Sequence, residues 1–110
     1  MVFIYILENL PQNIVDQYEF HIVPVVNVDG YLYTWTPGNR YWRKNRQPNE
    51  NNSCIGTDPN RNWGYQWGVV NNGTSSDPCS ETYFGSGPFS CLELQAIKNK
   101  WLLLFSQKRF

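Results

Sequence analysis

The alternation of apolar and polar positions divides the chain into two ordered ends and a long irregular middle. Residues 1–10 are apolar up to Glu8 and Asn9, which reads as the last turns of a helix stopped near Pro11. Pro11 to Gln17 is polar and loop-like, with Ile14, Val15 and Tyr18 placed to cap a core. Phe20-His21-Ile22-Val23-Pro24-Val25-Val26-Asn27 is an almost continuous apolar run. It predicts a strand near residues 19–27 buried on both faces, as in a parallel sheet, with Pro24 removing one ladder donor. Asp29-Gly30 then marks a sharp turn. From Tyr31 to Pro88 periodicity largely vanishes, and Pro, Gly, Asn and Ser recur throughout. A run this long without regular structure points to functional loops, which in open α/β sheets lie beyond the carboxyl ends of strands. Ser90 and Glu93 have capping-box spacing, and Leu94, Ile97, Trp101 and Leu104 follow on one face. This predicts a helix over residues 91–104, its stripe packed into a core. The fold class expected is α/β, part of a mixed sheet with long loops beyond the strand ends.

Composition narrows the classes. At 110 residues the chain suits one small domain. Its net charge of zero favours neither nucleic acid nor a charged membrane surface as partner. Five Trp, seven Tyr and six Phe suit a core or an aromatic-lined cleft and argue against disorder. The apolar opening is seven residues long without a basic start, so it is neither a transmembrane run nor a signal peptide. Three cysteines allow three pairings, and with a single His they make a zinc finger a poor reading. Asn51-Asn52-Ser53 and Asn72-Gly73-Thr74 match the N-glycosylation pattern at Asn51 and Asn72.

The chemistry concentrates in two guanidinium-rich runs. Asn39-Arg40-Tyr41-Trp42-Arg43-Lys44-Asn45-Arg46 is answered by Asp58-Pro59-Asn60-Arg61-Asn62-Trp63. Arg stays charged and holds a carboxylate through two parallel hydrogen bonds, and Asn adds a donor and an acceptor beside it. Such fixed donors suit a substrate carboxylate or an oxyanion formed in acyl transfer. The bland reading is solvated surface charge with Trp packed beneath.

Taken in order with Val23-Pro24-Val25-Val26-Asn27-Val28-Asp29-Gly30-Tyr31 and Pro78-Cys79-Ser80-Glu81-Thr82-Tyr83, these runs resemble the zinc carboxypeptidases of the carboxypeptidase A/B type, the fungal secreted members most. The resemblance extends from about Tyr18 to about Trp101. It departs at Val28, where Pro is common, and at Cys91-Leu92, in place of a typical Glu-Pro.

The resemblance implies a zinc-dependent hydrolase that releases the C-terminal residue of peptide or protein substrates. It implies Arg43 as the group that stabilises the oxyanion, Asn60 and Arg61 as the clamp for the free C-terminal carboxylate, and a Cys54–Cys79 disulfide. That bridge contributes on the order of 3 kcal/mol. Cys91 is then a partly buried free thiol. Arg40, Lys44 and Arg46 match no role and read as solvated. Trp42 and Trp63 pack under the loops, Asp58 orients a loop or a neighbouring Arg, and Glu81 and Tyr83 are structural. Zinc is the family cofactor, but its His-x-x-Glu ligands, second His and general base match no residue here. His21 has no Glu three residues on and reads as a hydrogen-bonded imidazole in the core or at the sheet end. The expectation is therefore an internal piece of a catalytic domain over residues 1–101, with an atypical tail over 102–110 and no metal site or activity of its own. The parent protein is expected to be extracellular and monomeric, with neither nucleic acid nor membrane as partner. The alternative is a non-catalytic pseudoenzyme or a binding module for C-terminal carboxylates or other anions.

Overall fold

The computed structural model describes residues 11–107 apart from Glu19, Asn71 and Asn72, with only the backbone of Val15 and of residues 104–107. The helix end expected over residues 1–10 lies outside the described residues.

Helix α1, Gln12–Gln17, occupies the segment expected to be loop. Pro11 precedes it at φ −55°, already close to the helical value, and Gln12 Nε2 donates to Asp16 Oδ1 at 2.8 Å one turn on. The apolar run that follows does not form the expected strand. Among the described residues no ladder bridge includes it, and Phe20, Val23 and Val25 are exposed. A strand of a parallel sheet is held by ladder bonds from its neighbours, so apolar patterning alone cannot produce it. Ladder contacts elsewhere among the described residues are two isolated bridges, antiparallel Pro48–Ile55 and parallel Ser75–Tyr83.

Asp29 and Gly30 lie inside a short helix, α2, Val28–Tyr33, where a sharp turn was expected. Asn27 explains the difference. Its Oδ1 accepts from Gly30 N at 3.0 Å and starts the helix, while its Nδ2 donates to the carbonyls of Arg43 at 3.2 Å and Lys44 at 3.0 Å. The first arginine run is thereby hung on α2. Gly30 is required at this crossing, because a Cβ there would lie 2.5 Å from the Lys44 carbonyl oxygen.

Helix α3, Leu92–Gln107, spans most of the predicted 91–104 helix and runs past residue 101 to Gln107. Its start is not the expected capping box. Loop side chains do that work: Asn62 Oδ1 accepts from Cys91 N at 2.8 Å and Gln47 Oε1 from Leu92 N at 3.3 Å. Ser90 Oγ accepts from Asn62 Nδ2, and the Glu93 carboxylate accepts from Asn45 Nδ2 at 3.0 Å. The apolar stripe is buried at Leu94, half-buried at Ile97 and exposed at Trp101, so only its first half is core. His21 stands exposed against Trp101, ring centroids 6.2 Å apart, rather than within a sheet.

Cys54 and Cys79 are joined by a disulfide, their Cα atoms 5.1 Å apart. Cys91 is a free thiol, fully buried rather than partly. Burial pushes it up to about 12, and the Glu93 and Asp58 carboxylates act in the same direction. The folded chain therefore keeps this proton after the unfolded chain has released it. The stabilisation is complete below 9.0 and is lost as pH rises toward about 12. The loss approaches about 1.4 kcal/mol per pH unit within that window. A Cys91→Ala chain is expected to lose less stability across it, read as urea-unfolding free energy against pH. Parallel curves for the two chains would show that the thiol titrates normally.

Candidate functional site

The buried side chains are mostly polar: Lys44, Asn45, Thr57, Asp58 and Asn62 beside Tyr83, Phe84, Cys91 and Leu94. A buried polar group is tolerated when its hydrogen bonds are made, and the buried amides and Asp58 meet that condition by tying loops together. Asn45 Oδ1 accepts from Thr57 N at 2.8 Å, and Asn45 N donates to Thr57 O at 2.9 Å. This joins the first arginine run to the start of the second. Asn62 Nδ2 lies within bonding distance of the carbonyls of Phe84 at 2.7 Å and Gly87 at 2.8 Å and of Ser90 Oγ at 2.8 Å. The second run is thereby fixed to the segment entering α3.

Replacing Asn62 by Ala strands the Cys91 N–H in the interior, while the Phe84 carbonyl keeps the bond it accepts from Trp67 Nε1 at 2.9 Å. A buried group left without a partner costs about 1–3 kcal/mol, so Asn62→Ala is expected to lower unfolding stability by an amount in that range. Urea denaturation reads this, and an unchanged midpoint would contradict it.

Asp58 is the centre of the frame. It is 2 % exposed, and its backbone N donates to Tyr83 O at 2.9 Å. Its Oδ1 accepts from Asn60 N at 3.1 Å, capping the 3₁₀ turn Pro59–Arg61. Its Oδ2 accepts from an Arg43 guanidinium nitrogen at 2.6 Å. One buried carboxylate therefore orients Arg43 and shapes the turn that carries Asn60 and Arg61. The Arg43 side chain remains 43 % exposed on an open concavity shared with Gly38, Asn39, Tyr41, Trp42 and Glu81. Arg61 is held by two carbonyls: Nε donates to Gly73 O at 2.5 Å and Nη1 to Asn60 O at 3.0 Å. Among the described residues its other three N–H groups have no partner, enough for a two-pronged grip on a carboxylate. The Asn60 side chain is exposed beside it.

Three cations read as solvated are engaged. Lys44 is buried, its Nζ donating to the Pro78 carbonyl at 2.7 Å. Burial lowers its pKa, and the Glu81 and Asp77 carboxylates oppose that shift. The Arg46 guanidinium carbon lies 3.7 Å from the Tyr33 ring centroid and 4.5 Å from that of Trp42. Arg40 lies 5.7 Å from the Trp35 ring centroid. These cation–π contacts immobilise the first run from the aromatic side. Trp42 is half-buried between the loops, whereas Trp63 is 42 % exposed and meets Phe89 edge-on. The roles of Asn45 and Asn62 were not read from the sequence. The available signal was an amide inside each arginine run, which bordering charges disguised as surface.

The sequence pattern of the zinc carboxypeptidases matches residues 5–109. The chain belongs to the zinc carboxypeptidase family. It is 49 % identical over 86 residues to human mast cell carboxypeptidase A, covering 78 % of this chain and 20 % of that protein. It is 52 % identical over 83 residues to metallocarboxypeptidase A of Trichophyton rubrum, covering 76 % of this chain and 19 % of that protein. Among solved structures it is similar to thrombin-activatable fibrinolysis inhibitor, with a TM-score of 0.77 and 41 % identity over 92 % of this chain and 25 % of that one. It is also similar to the bovine form of that protein in complex with tick carboxypeptidase inhibitor, with a TM-score of 0.66 and 46 % identity over 76 % of this chain and 27 % of that one. The chain spans about a fifth of the length of the curated relatives it matches. These structural neighbours are carboxypeptidase domains, so the α/β class holds at the level of the family.

The family's zinc does not fit the residues described. Among them no group of three or more His, Cys, Asp or Glu side chains could hold a metal ion. No step of the chemistry assigned to this chain passes through a metal. No helix among the described residues is long and apolar enough to cross a membrane.

Proposed function

We propose that this chain supplies the substrate-holding loops of a metallocarboxypeptidase, an enzyme that releases the C-terminal residue of peptides. The observation that carries the reading is Asp58: a single buried carboxylate bonds Arg43 and caps the turn bearing Asn60 and Arg61. In this reading the free carboxylate of a peptide accepts two parallel hydrogen bonds from Arg61 and a further one from the Asn60 amide. Capture of that carboxylate confines cleavage to the last peptide bond. The scissile carbonyl then lies against Arg43, already oriented by Asp58. As the carbonyl carbon becomes tetrahedral, charge grows on its oxygen and the bond from Arg43 strengthens. The family's zinc, which the described residues do not hold, would supply an activated water in a complete enzyme; this chain's part is to hold, orient and stabilise charge.

Family membership favours this reading over a pseudoenzyme or a general anion-binding module, although both would use the same clamp. The Cys54–Cys79 bridge supports an extracellular, oxidising setting. Peptides or proteins with a free C-terminal carboxylate are the proposed partners, and the parent enzyme is proposed to act as a monomer. The experiment is the comparison of free-acid with C-terminally amidated peptides on an Arg61→Ala enzyme.

A further inference from the structure

We infer that Asn51 is a site of N-linked glycosylation. Asn51-Asn52-Ser53 carries the acceptor pattern, and all three residues are exposed at a loop tip. The tip lies between the bridged residues Pro48 and Ile55 and is braced from within. Asn49 Nδ2 donates to the carbonyls of Cys54 at 2.9 Å and Gly56 at 3.1 Å. The two neighbouring amides are used differently. Asn52 Oδ1 accepts from Cys54 N at 2.7 Å and lies 3.8 Å from Cys79 Sγ, so Asn52 belongs to the brace. The Asn51 side chain has no hydrogen bond among the described residues. Its backbone adopts φ 55°, a left-handed conformation that Asn accepts readily and that lies at the turn of the tip.

The folded chain therefore loses no contact when this amide is substituted. The tip shares no residue with the frame around Asp58, so a glycan there leaves the clamp in place. The disulfide beside it favours an oxidising compartment, the kind in which amide glycosylation occurs. The donor is an oligosaccharide linked through pyrophosphate to a lipid. The Asn51 amide nitrogen forms a bond to the sugar anomeric carbon, the carbon–oxygen bond to pyrophosphate breaks, and the amide releases one proton. The lipid pyrophosphate is the leaving group.

The test expresses the full chain behind a secretory leader in a eukaryotic host. Glycopeptides are released enzymatically in heavy-oxygen water, which marks each formerly glycosylated Asn as labelled Asp. Label is expected at Asn51 and not at Asn52 in the secreted protein, and Asn51→Gln and Ser53→Ala are each expected to remove it. Unlabelled Asn51, whether in secreted or in cell-retained protein, would overturn the proposal. So would label at Asn72 alone. Cell-retained chain is assayed alongside the secreted protein, so the site is read even when a variant fails to fold.

Discussion

Arg43→Ala in a complete enzyme built around this chain is expected to lower kcat by about 10²–10³-fold, the range seen for loss of one oxyanion donor and worth about 2.7–4 kcal/mol. The loss should be alike on every peptide the enzyme cleaves, because the charge stabilised belongs to the reacting carbonyl and not to a side chain. KM should change little, since the bond is strongest in the transition state. Two controls separate this from damage to the frame. Removing Arg43 strands Asp58 Oδ2, which is almost fully buried, so stability is measured alongside kcat. Added guanidinium should restore part of the rate, because it can occupy the vacated place against Asp58. Arg43→Lys should remain slow: a single ammonium replaces a planar fork in which one nitrogen bonds Asp58 while the side chain stays 43 % exposed. A small kcat effect with a large KM effect would make Arg43 a ground-state binding residue.

Arg61→Ala is expected to lower kcat/KM on ordinary free-acid peptides by about 30-fold or more, the lower end of the roughly 2–5 kcal/mol lost when a desolvated charge loses its partner. The side chain is suited to this by what already holds it. Carbonyls of Gly73 and Asn60 take two of its donors and leave three, so it enters binding with its plane fixed. A pre-oriented guanidinium loses little rotamer entropy when the carboxylate arrives. Asn60→Ala should show the same pattern more weakly, since Asn60 offers one neutral donor where Arg61 offers charge as well.

How far the sequence revealed this can be judged residue by residue. The C-terminal helix was legible because Leu94 and Ile97 repeat at helical spacing, and periodicity is a local property. Its cap was misread: Ser90 and Glu93 have the right spacing, yet Asn62 and Asn45 reach them from loops distant in sequence. The strand over residues 19–27 was inferred from apolar character, which records burial but not the neighbours that complete a ladder. Lys44 and Arg46 were read as solvated because a cation beside other cations ordinarily faces water. Here the Pro78 carbonyl and the rings of Tyr33 and Trp42 meet them, and these partners are set by tertiary folding. The arginine motifs themselves were legible as a pair. Their common dependence on Asp58 became visible only in three dimensions.

The central claim is that Arg61 reads a free carboxylate, and one ratio tests it most directly. A peptide and its C-terminally amidated twin are assayed on the complete enzyme and on its Arg61→Ala form, and kcat/KM for the acid is divided by that for the amide. The account predicts that this ratio falls by about 30-fold or more in the variant. The amide should be nearly indifferent to the substitution, because it has no carboxylate to lose. Equal losses on acid and amide, leaving the ratio unchanged, would contradict the account and show that Arg61 is not the carboxylate clamp.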